Sequence, residues 1–178
     1  MKLVIASDIH GSSYYAEKLK EIVKNENPDK LVLLGDLYYH GPRNPLPKEY
    51  NPKKVSEILN SMKEIILCVK GNCDAEVDEM ISKFKFEDEI EMVLDNKVVI
   101  FTHGQKYNMN NLPKKNFDVL VYGHFHTGFI QTEDGILFLN PGSISLPKEN
   151  TKNSYIVWEN NKILLKDVDN NIIDKKIL

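Results

Sequence analysis

An α/β fold in which two β-sheets share one core between flanking helices is predicted by three observations. Apolar, β-branched runs alternate with amphipathic helical patterns through the first half of the chain. Short strand-like runs separated by Asn and Gly dipeptides fill the second half. Small polar clusters follow most of the apolar runs, as they do where strands end at one working edge of an open sheet.

The first element is the run Lys2 to Ala6, and the run Lys30 to Leu34 matches it. Both are continuously apolar, the pattern of strands buried on both faces of a parallel sheet. Between them Ala16, Leu19, Ile22 and Val23 recur at helical spacing after the capping pair Ser12-Ser13, and Asn27-Pro28 ends the pattern. Strand, helix and strand within about 30 residues make a βαβ crossover. A second crossover follows, with the stripe Val55, Ile58, Leu59, Met62 after Pro52 and a strand over Ile65 to Val69.

Val77, Met80, Ile81 and Phe84 continue at helical spacing, and Ile90 to Leu94, Val98 to Thr102 and Val119 to Tyr122 read as strands. Beyond Gly128 the strands Ile136 to Leu139, Tyr155 to Trp158, Ile163 to Val168 and Ile172 to Ile177 are separated by Asp134-Gly135, Asn160-Asn161 and Asn170-Asn171, which suit tight antiparallel hairpins. Residues 37 to 52 carry Pro42, Pro45, Pro47 and Pro52, which exclude helix and central strand and predict a long loop facing the substrate.

Composition bounds the rest. A chain of 178 residues without linker, repeat or low-complexity segment is expected to be a single domain over 1–178. The net charge of −3 leaves no footprint for a polyanion, so bulk nucleic acid is an unexpected partner, although a dinucleotide is small enough to escape that argument. Cys68 and Cys73 match neither a redox pair nor a zinc knuckle; Cys68 is expected in the core. The run Leu3 to Ala6, cut off by Asp8, is too short for a signal peptide or a membrane span, so a cytoplasmic protein with no membrane partner is expected.

The polar clusters are Asp8-Ile9-His10, Gly35-Asp36, Gly71-Asn72, Thr102-His103-Gly104 and Gly123-His124-Phe125-His126. They hold four of the chain's five histidines. Were Asp8 with His10 and His124 with His126 in strand geometry, each pair would aim two ligands to one side, while Phe125 between two of them would point away, by default into the core. Imidazole and carboxylate together suit Mn, Fe, Co, Ni or Zn, and no thiolate set for a structural zinc is present. Seven side chains exceed the needs of one ion, so two divalent ions sharing a bridging carboxylate are expected.

The order D-x-H, G-D, G-N-C-D, T-H-G, G-H-x-H resembles the calcineurin-like metallophosphoesterases from Lys2 to about Ser145. His40-Gly41-Pro42-Arg43-Asn44, Gly71-Asn72-Cys73-Asp74 and Asn140-Pro141-Gly142-Ser143 are similar, more narrowly, to their small bacterial and archaeal phosphodiesterases. The resemblance implies a four-layer α-β-β-α fold. It implies Asp8, His10, Asp36 and His126 on one ion and Asp36, Asn72, His103 and His124 on the other, with Asp36 bridging and Mn the expected metal. It further implies hydrolysis of a small phosphodiester by in-line attack of a metal-bridging hydroxide, and a homodimer or higher homo-oligomer. The alternatives are a phosphomonoesterase, or a non-catalytic protein-binding scaffold of the same fold.

Asp36, Asn72, Cys73, Asp74 and Arg43 are the catalytic candidates. Many members of the resembled family place a leaving-group histidine where this chain has Cys73, which is either a weak proton donor or a filler. Asp74 is expected to orient its turn rather than transfer a proton. Arg43, the only arginine, suits bidentate phosphate recognition; His40 is a solvated loop residue or a substrate contact, and Lys70 a solvated strand end.

Overall fold

The computed structural model describes residues 1–178. Strands β1 (Lys2–Ala6), β2 (Lys30–Leu33), β3 (Ile66–Val69) and β4 (Phe86–Glu87) run parallel. They are joined by α1 (Ser13–Glu26), α2 (Pro52–Asn60) and α3 (Glu76–Ile81). The second half supplies β5 (Ile90–Leu94), β6 (Lys97–Thr102), β7 (Val119–Tyr122), β8 (Gly128–Glu133), β9 (Ile136–Pro141), β10 (Ser154–Glu159), β11 (Lys162–Asp167) and β12 (Ile172–Ile177). The first sheet has the order β12-β11-β10-β1-β2-β3-β4 and the second β5-β6-β7-β9-β8. No helix is long and apolar enough to cross a membrane.

The alternation of side chains along the central strands separates two cores. Val4, Ala6, Leu31, Leu33 and Cys68 point outward and meet Ala16, Leu19 and Ile22 of α1 and Val55, Ile58 and Leu59 of α2. Leu3, Ile5, Val32 and Val69 point inward and meet Val99, Phe101, Val119, Val121, Leu137 and Leu139 of the second sheet. The expected pair of sheets sharing one core is therefore present, with α1 and α2 against the outer face of the first. On the outer face of the second sheet Ile100, Leu120, Tyr122 and Phe138 are covered partly by Met109 and Phe117 of the segment between β6 and β7.

Local chemistry sets the ends of these elements. Ser12 caps α1, its Oγ accepting from the Tyr15 amide, and Asn27 closes it in the left-handed region at φ 47°. Asn51 caps α2 with Pro52 in its first turn. Asp134-Gly135, Asn160-Asn161 and Asn170 have positive φ, and β8–β9, β10–β11 and β11–β12 are antiparallel as those turns predict. β9 also pairs in parallel with β7, so the second half is mixed. The helical reading of Val77, Met80, Ile81 and Phe84 holds only to Ile81. Val77 and Met80 are exposed, so that stripe covers no core.

Residues 37–51 form the expected long loop, and its far end is tied down. The Ser12 and Ser13 hydroxyls donate to the carbonyls of Lys48 and Glu49, and the Asn51 amide donates to Gly11. One hydrogen-bonded contact clamps the two sheets at the opposite end: Trp158 of β10 and the Asn161 amide both donate to Asp95 in the β5–β6 turn, each at 2.8 Å. Because Trp158 is buried, Asp95→Ala leaves a buried indole N–H unpaired and lowers unfolding free energy by about 1–3 kcal/mol. Urea denaturation should show that loss with phosphoester hydrolysis unchanged; an unaltered midpoint would remove the clamp.

Candidate metal centre

The carboxyl ends of β1, β2, β3, β6 and β7 converge at one mouth between the sheets. The chain beyond β1 still follows the chain beyond β2: the Asp8 amide donates to Gly35 and that of His10 to Asp36. Close approach between the loops requires glycine at two points. A Cβ on Gly71 would collide with Asp36, and one on Gly123 would collide with Ser7. Asn140-Pro141-Gly142-Ser143 braces the loop from below, with the hydroxyls of Ser143 and Ser145 both donating to the Asp8 carbonyl and the Asn140 amide to the Gly123 carbonyl.

All seven residues expected as ligands meet here. Asp8 Oδ1 lies 3.5 Å from His10 Nε2 and 3.2 Å from His126 Nε2, and those two ring nitrogens are 3.1 Å apart. His103 Nε2 lies 3.1 Å from Asn72 Oδ1 and 3.3 Å from His124 Nδ1. Asp36 Oδ2 stands between the groups, 3.7 Å from His10 Nε2 and 3.4 Å from His103 Nε2, while its Oδ1 accepts from the Cys73 amide.

The pairs converge by a route other than strand alternation. Asp8, His10, Asp36, His124 and His126 have φ of 57°, 50°, 55°, 65° and 63°, so left-handed turns just past the strand ends aim the side chains. Phe125 does not enter the core. It is 43% exposed and packs edge-on against His124 and Tyr122.

The donor set fits divalent cations. His10, His103 and His126 each direct Nδ1–H at a backbone carbonyl, of Tyr39, Leu34 and Leu146, so that in the neutral rings the Nε2 lone pairs face inward. Asp8 Oδ1 is fully buried and has no hydrogen-bond partner. Inward lone pairs around an orphaned carboxylate oxygen repel one another unless a cation lies among them.

Burial alone would raise the pKa of Asp8, but the His10 and His126 rings beside it hold its carboxyl well below the usual range. Burial likewise opposes protonation of His103, yet Asp36, with Asp8 and the Leu34 carbonyl, raises it to about 9. His124 is lowered, by burial and then by the charge on His103. Burial, reinforced by Asp36, pushes the Cys73 thiol up to about 12. Asp74 is buried and raised to about 6, chiefly by burial, against three hydrogen bonds from the amides of Asp36, Leu37 and Gly71. That triple acceptance shapes the turn that presents Asp36 and Asn72.

Above the centre lies a cleft of about 760 Å³ lined by Tyr39, Arg43, Asn44, Cys73, Phe125 and Lys148. Arg43 is therefore at the site, on the proline-rich loop. His40 is half-buried and outside this lining; it packs edge-on between Tyr39 and Tyr50 and props the loop. Lys70 is paired with Glu79 at 2.5 Å. Tyr39, Asn44, Phe125 and Lys148 escaped sequence reasoning as cleft residues, although Tyr39 and Asn44 sit in the loop singled out by its prolines. Ser143 belonged to a recognised motif, but its hydrogen bond to Asp8 spans 135 residues and has no local signature.

The class follows from the family. The chain belongs to the calcineurin-like phosphoesterase superfamily, hydrolases of phosphoesters, whose family model matches residues 1–162 and thus spans the whole cluster. Phosphodiesterase YfcE of Escherichia coli K12 is 44% identical to it over 162 residues, covering 90% of this chain and 88% of YfcE. A solved structure of the E. coli phosphoesterase YfcE aligns with a TM-score of 0.96 at 39% identity over 99% of both chains. Vacuolar protein sorting 29 of Cryptosporidium parvum aligns at 0.65 with 18% identity over 99% of this chain and 98% of that one, a likeness of fold alone.

The raised pKa of His103 fixes a sign. In the metal-free protein its charged form adds stability that is full below the ordinary value of 6.5 and lost as pH rises through about 9. A metal takes the neutral imidazole, so Mn²⁺ binding at pH 7.5 should expel the His103 proton, with His10, whose pKa Asp8 raises against burial, adding to the release, and the release should fall away as pH rises beyond about 9. Calorimetry in buffers of different ionisation enthalpy measures this; no release at pH 7.5 would contradict it.

Proposed function

We propose that the protein is a cytoplasmic phosphodiesterase that uses two divalent transition-metal ions, Mn foremost and Fe, Co, Ni or Zn as alternatives, to hydrolyse a small phosphodiester. The observation that carries this reading is the placement of Asp36 Oδ2 between two inward-facing histidine groups, next to the orphaned oxygen of Asp8. Asp8, His10, Asp36 and His126 would hold one ion; Asp36, Asn72, His103 and His124 would hold the other. Bound there, the ions supply Lewis acidity, acidifying water and offsetting negative charge on the phosphoryl group.

The remaining residues act on substrate and geometry. Arg43, with the fork geometry that binds phosphate oxygens in pairs, holds the diester from the loop side. Asp74 keeps the Asp36 and Asn72 turns in register through its three amide hydrogen bonds. Cys73, whose thiol burial and Asp36 keep protonated and neutral, gives a departing alkoxide no positive charge. Esters whose alcohol leaves unaided are then the best substrates.

The complete histidine set supports catalysis over a scaffold role. With added Mn²⁺, bis(4-nitrophenyl) phosphate should be hydrolysed faster than 4-nitrophenyl phosphate, and dialkyl diesters slowest. EDTA should abolish the activity and Mn²⁺ restore it. Asn72→Ala and His124→Ala should each lower kcat about a hundred-fold or more while metal content falls. Wild-type hydrolysis with full metal content in both variants would overturn the reading, and preference for the monoester would make the protein a phosphomonoesterase. Arg43→Ala should raise KM for the diester; an unchanged KM would place Arg43 outside the site.

A further inference from the structure

Two clefts of unlike chemistry flank Asn72. The cleft under the proline-rich loop carries the cations Arg43 and Lys148, the half-exposed rings of Tyr39 and Phe125, and the Cys73 thiol. A second cleft, also about 760 Å³, opens on the other side, between the ends of β3 and β4 and the segment following β6. Asn72 and Asp74 line both. The second cleft has one hydrophobic residue among ten, and its walls include Lys70, Asp88, Glu89, Gln105, Lys106 and Tyr107.

The charges of the second cleft are largely spent within the protein. Lys70 is paired with Glu79 and Glu89 with Lys115, each at 2.5 Å, and the Lys106 ammonium lies 4.8 Å from the centre of the Tyr107 ring. What remains is a wall of mixed donors and acceptors, with the Gln105 amide offering both and exposed Asp88 an acceptor. A hydroxyl group both donates and accepts, so this wall suits a polyol better than an aromatic ring or an anion. The first cleft has the opposite character, since the Tyr39 and Phe125 rings and the Lys148 ammonium suit a flat aromatic group while Arg43 holds the phosphate.

A phosphodiester carries two alcohols on one phosphorus, and two clefts meeting at one ligand residue can each take one. Resting on the phosphodiesterase reading above, we propose that the substrate is an unsymmetrical phosphodiester. Its aromatic alcohol lies in the cleft of Arg43 and Phe125, and its hydroxyl-rich alcohol in the cleft of Asp88, Gln105 and Lys106. In the reaction a water oxygen forms a bond to phosphorus and the bond from phosphorus to the aromatic alcohol's oxygen breaks. One water proton ends, by way of solvent, on the departing aromatic oxygen, the other passes to solvent, and the polyol keeps the phosphate. Asp88, Gln105 and Lys106 are thus specificity-determining residues remote from the reacting atoms.

The test compares glyceryl 4-nitrophenyl phosphate with methyl 4-nitrophenyl phosphate, which share a leaving group and differ only in the retained arm. One or two hydrogen bonds to the glyceryl arm should make kcat/KM about ten-fold higher for the glyceryl ester, mainly through KM. The variant Asp88→Ala/Gln105→Ala/Lys106→Ala, altered only at exposed positions, should bring that ratio to about one while leaving hydrolysis of the methyl ester unchanged. A wild-type ratio of one, or a ratio retained by the triple variant, overturns the proposal. Wild-type protein inactive on both esters and on bis(4-nitrophenyl) phosphate would overturn the phosphodiesterase reading itself, a result distinct from a lost preference.

Discussion

Asp36 is the side chain on which the rest of the site depends. One of its carboxylate oxygens is committed to the Cys73 amide, which fixes the group in place and leaves the other between His10 and His103. A buried carboxylate is costly to keep charged unless compensated. Hydrogen bonding to His103 and its positive charge lower the pKa of Asp36 against that burial in the metal-free protein. Cations would perform the same service more completely and would return His103 to its neutral state. Either a protonated His103 or bound cations would offset the buried carboxylate, and the surrounding scaffold holds the group in place in both cases.

The tolerance comes from the strand ends. Five of the seven clustered side chains sit on residues with positive φ, a conformation that costs about 1–2 kcal/mol for an ordinary side chain and less for Asp, Asn and His. Strain of this kind persists where surrounding structure determines it several times over. Here the Asp8 carbonyl receives two serine hydroxyls, an Asp8 carboxylate oxygen receives the His124 amide, and Asp74 receives three amides. The sheet–helix and sheet–sheet cores beneath supply the rigidity, and the proline-rich loop, tied to the start of α1 at its far end, supplies one wall of the cleft.

Much of this was legible in the chain because its signals are local. Continuous apolar runs at Lys2 to Ala6 and Lys30 to Leu34 mark strands covered on both faces, and Ser12 with Asn27 brackets α1 by ordinary capping chemistry. The polar clusters could be placed at one mouth because parallel strands put their carboxyl ends together. What stayed hidden depends on long-range geometry. Left-handed turns in place of strand alternation, the exposure of Phe125 between His124 and His126, and the bracing of Asp8 by Ser143 have no periodic signature. The stripe at Val77 and Met80 misled for the complementary reason: helical spacing says which residues share a face, not whether anything covers it.

Two cations flanking one carboxylate oxygen are the arrangement proposed for this centre. Anomalous diffraction from crystals of the protein soaked in Mn²⁺, recorded on either side of the manganese absorption edge, addresses that arrangement itself. Two peaks should appear, one among Asp8, His10 and His126, the other among Asn72, His103 and His124, with Asp36 Oδ2 between them. A single peak, or peaks away from Asp36, would contradict it.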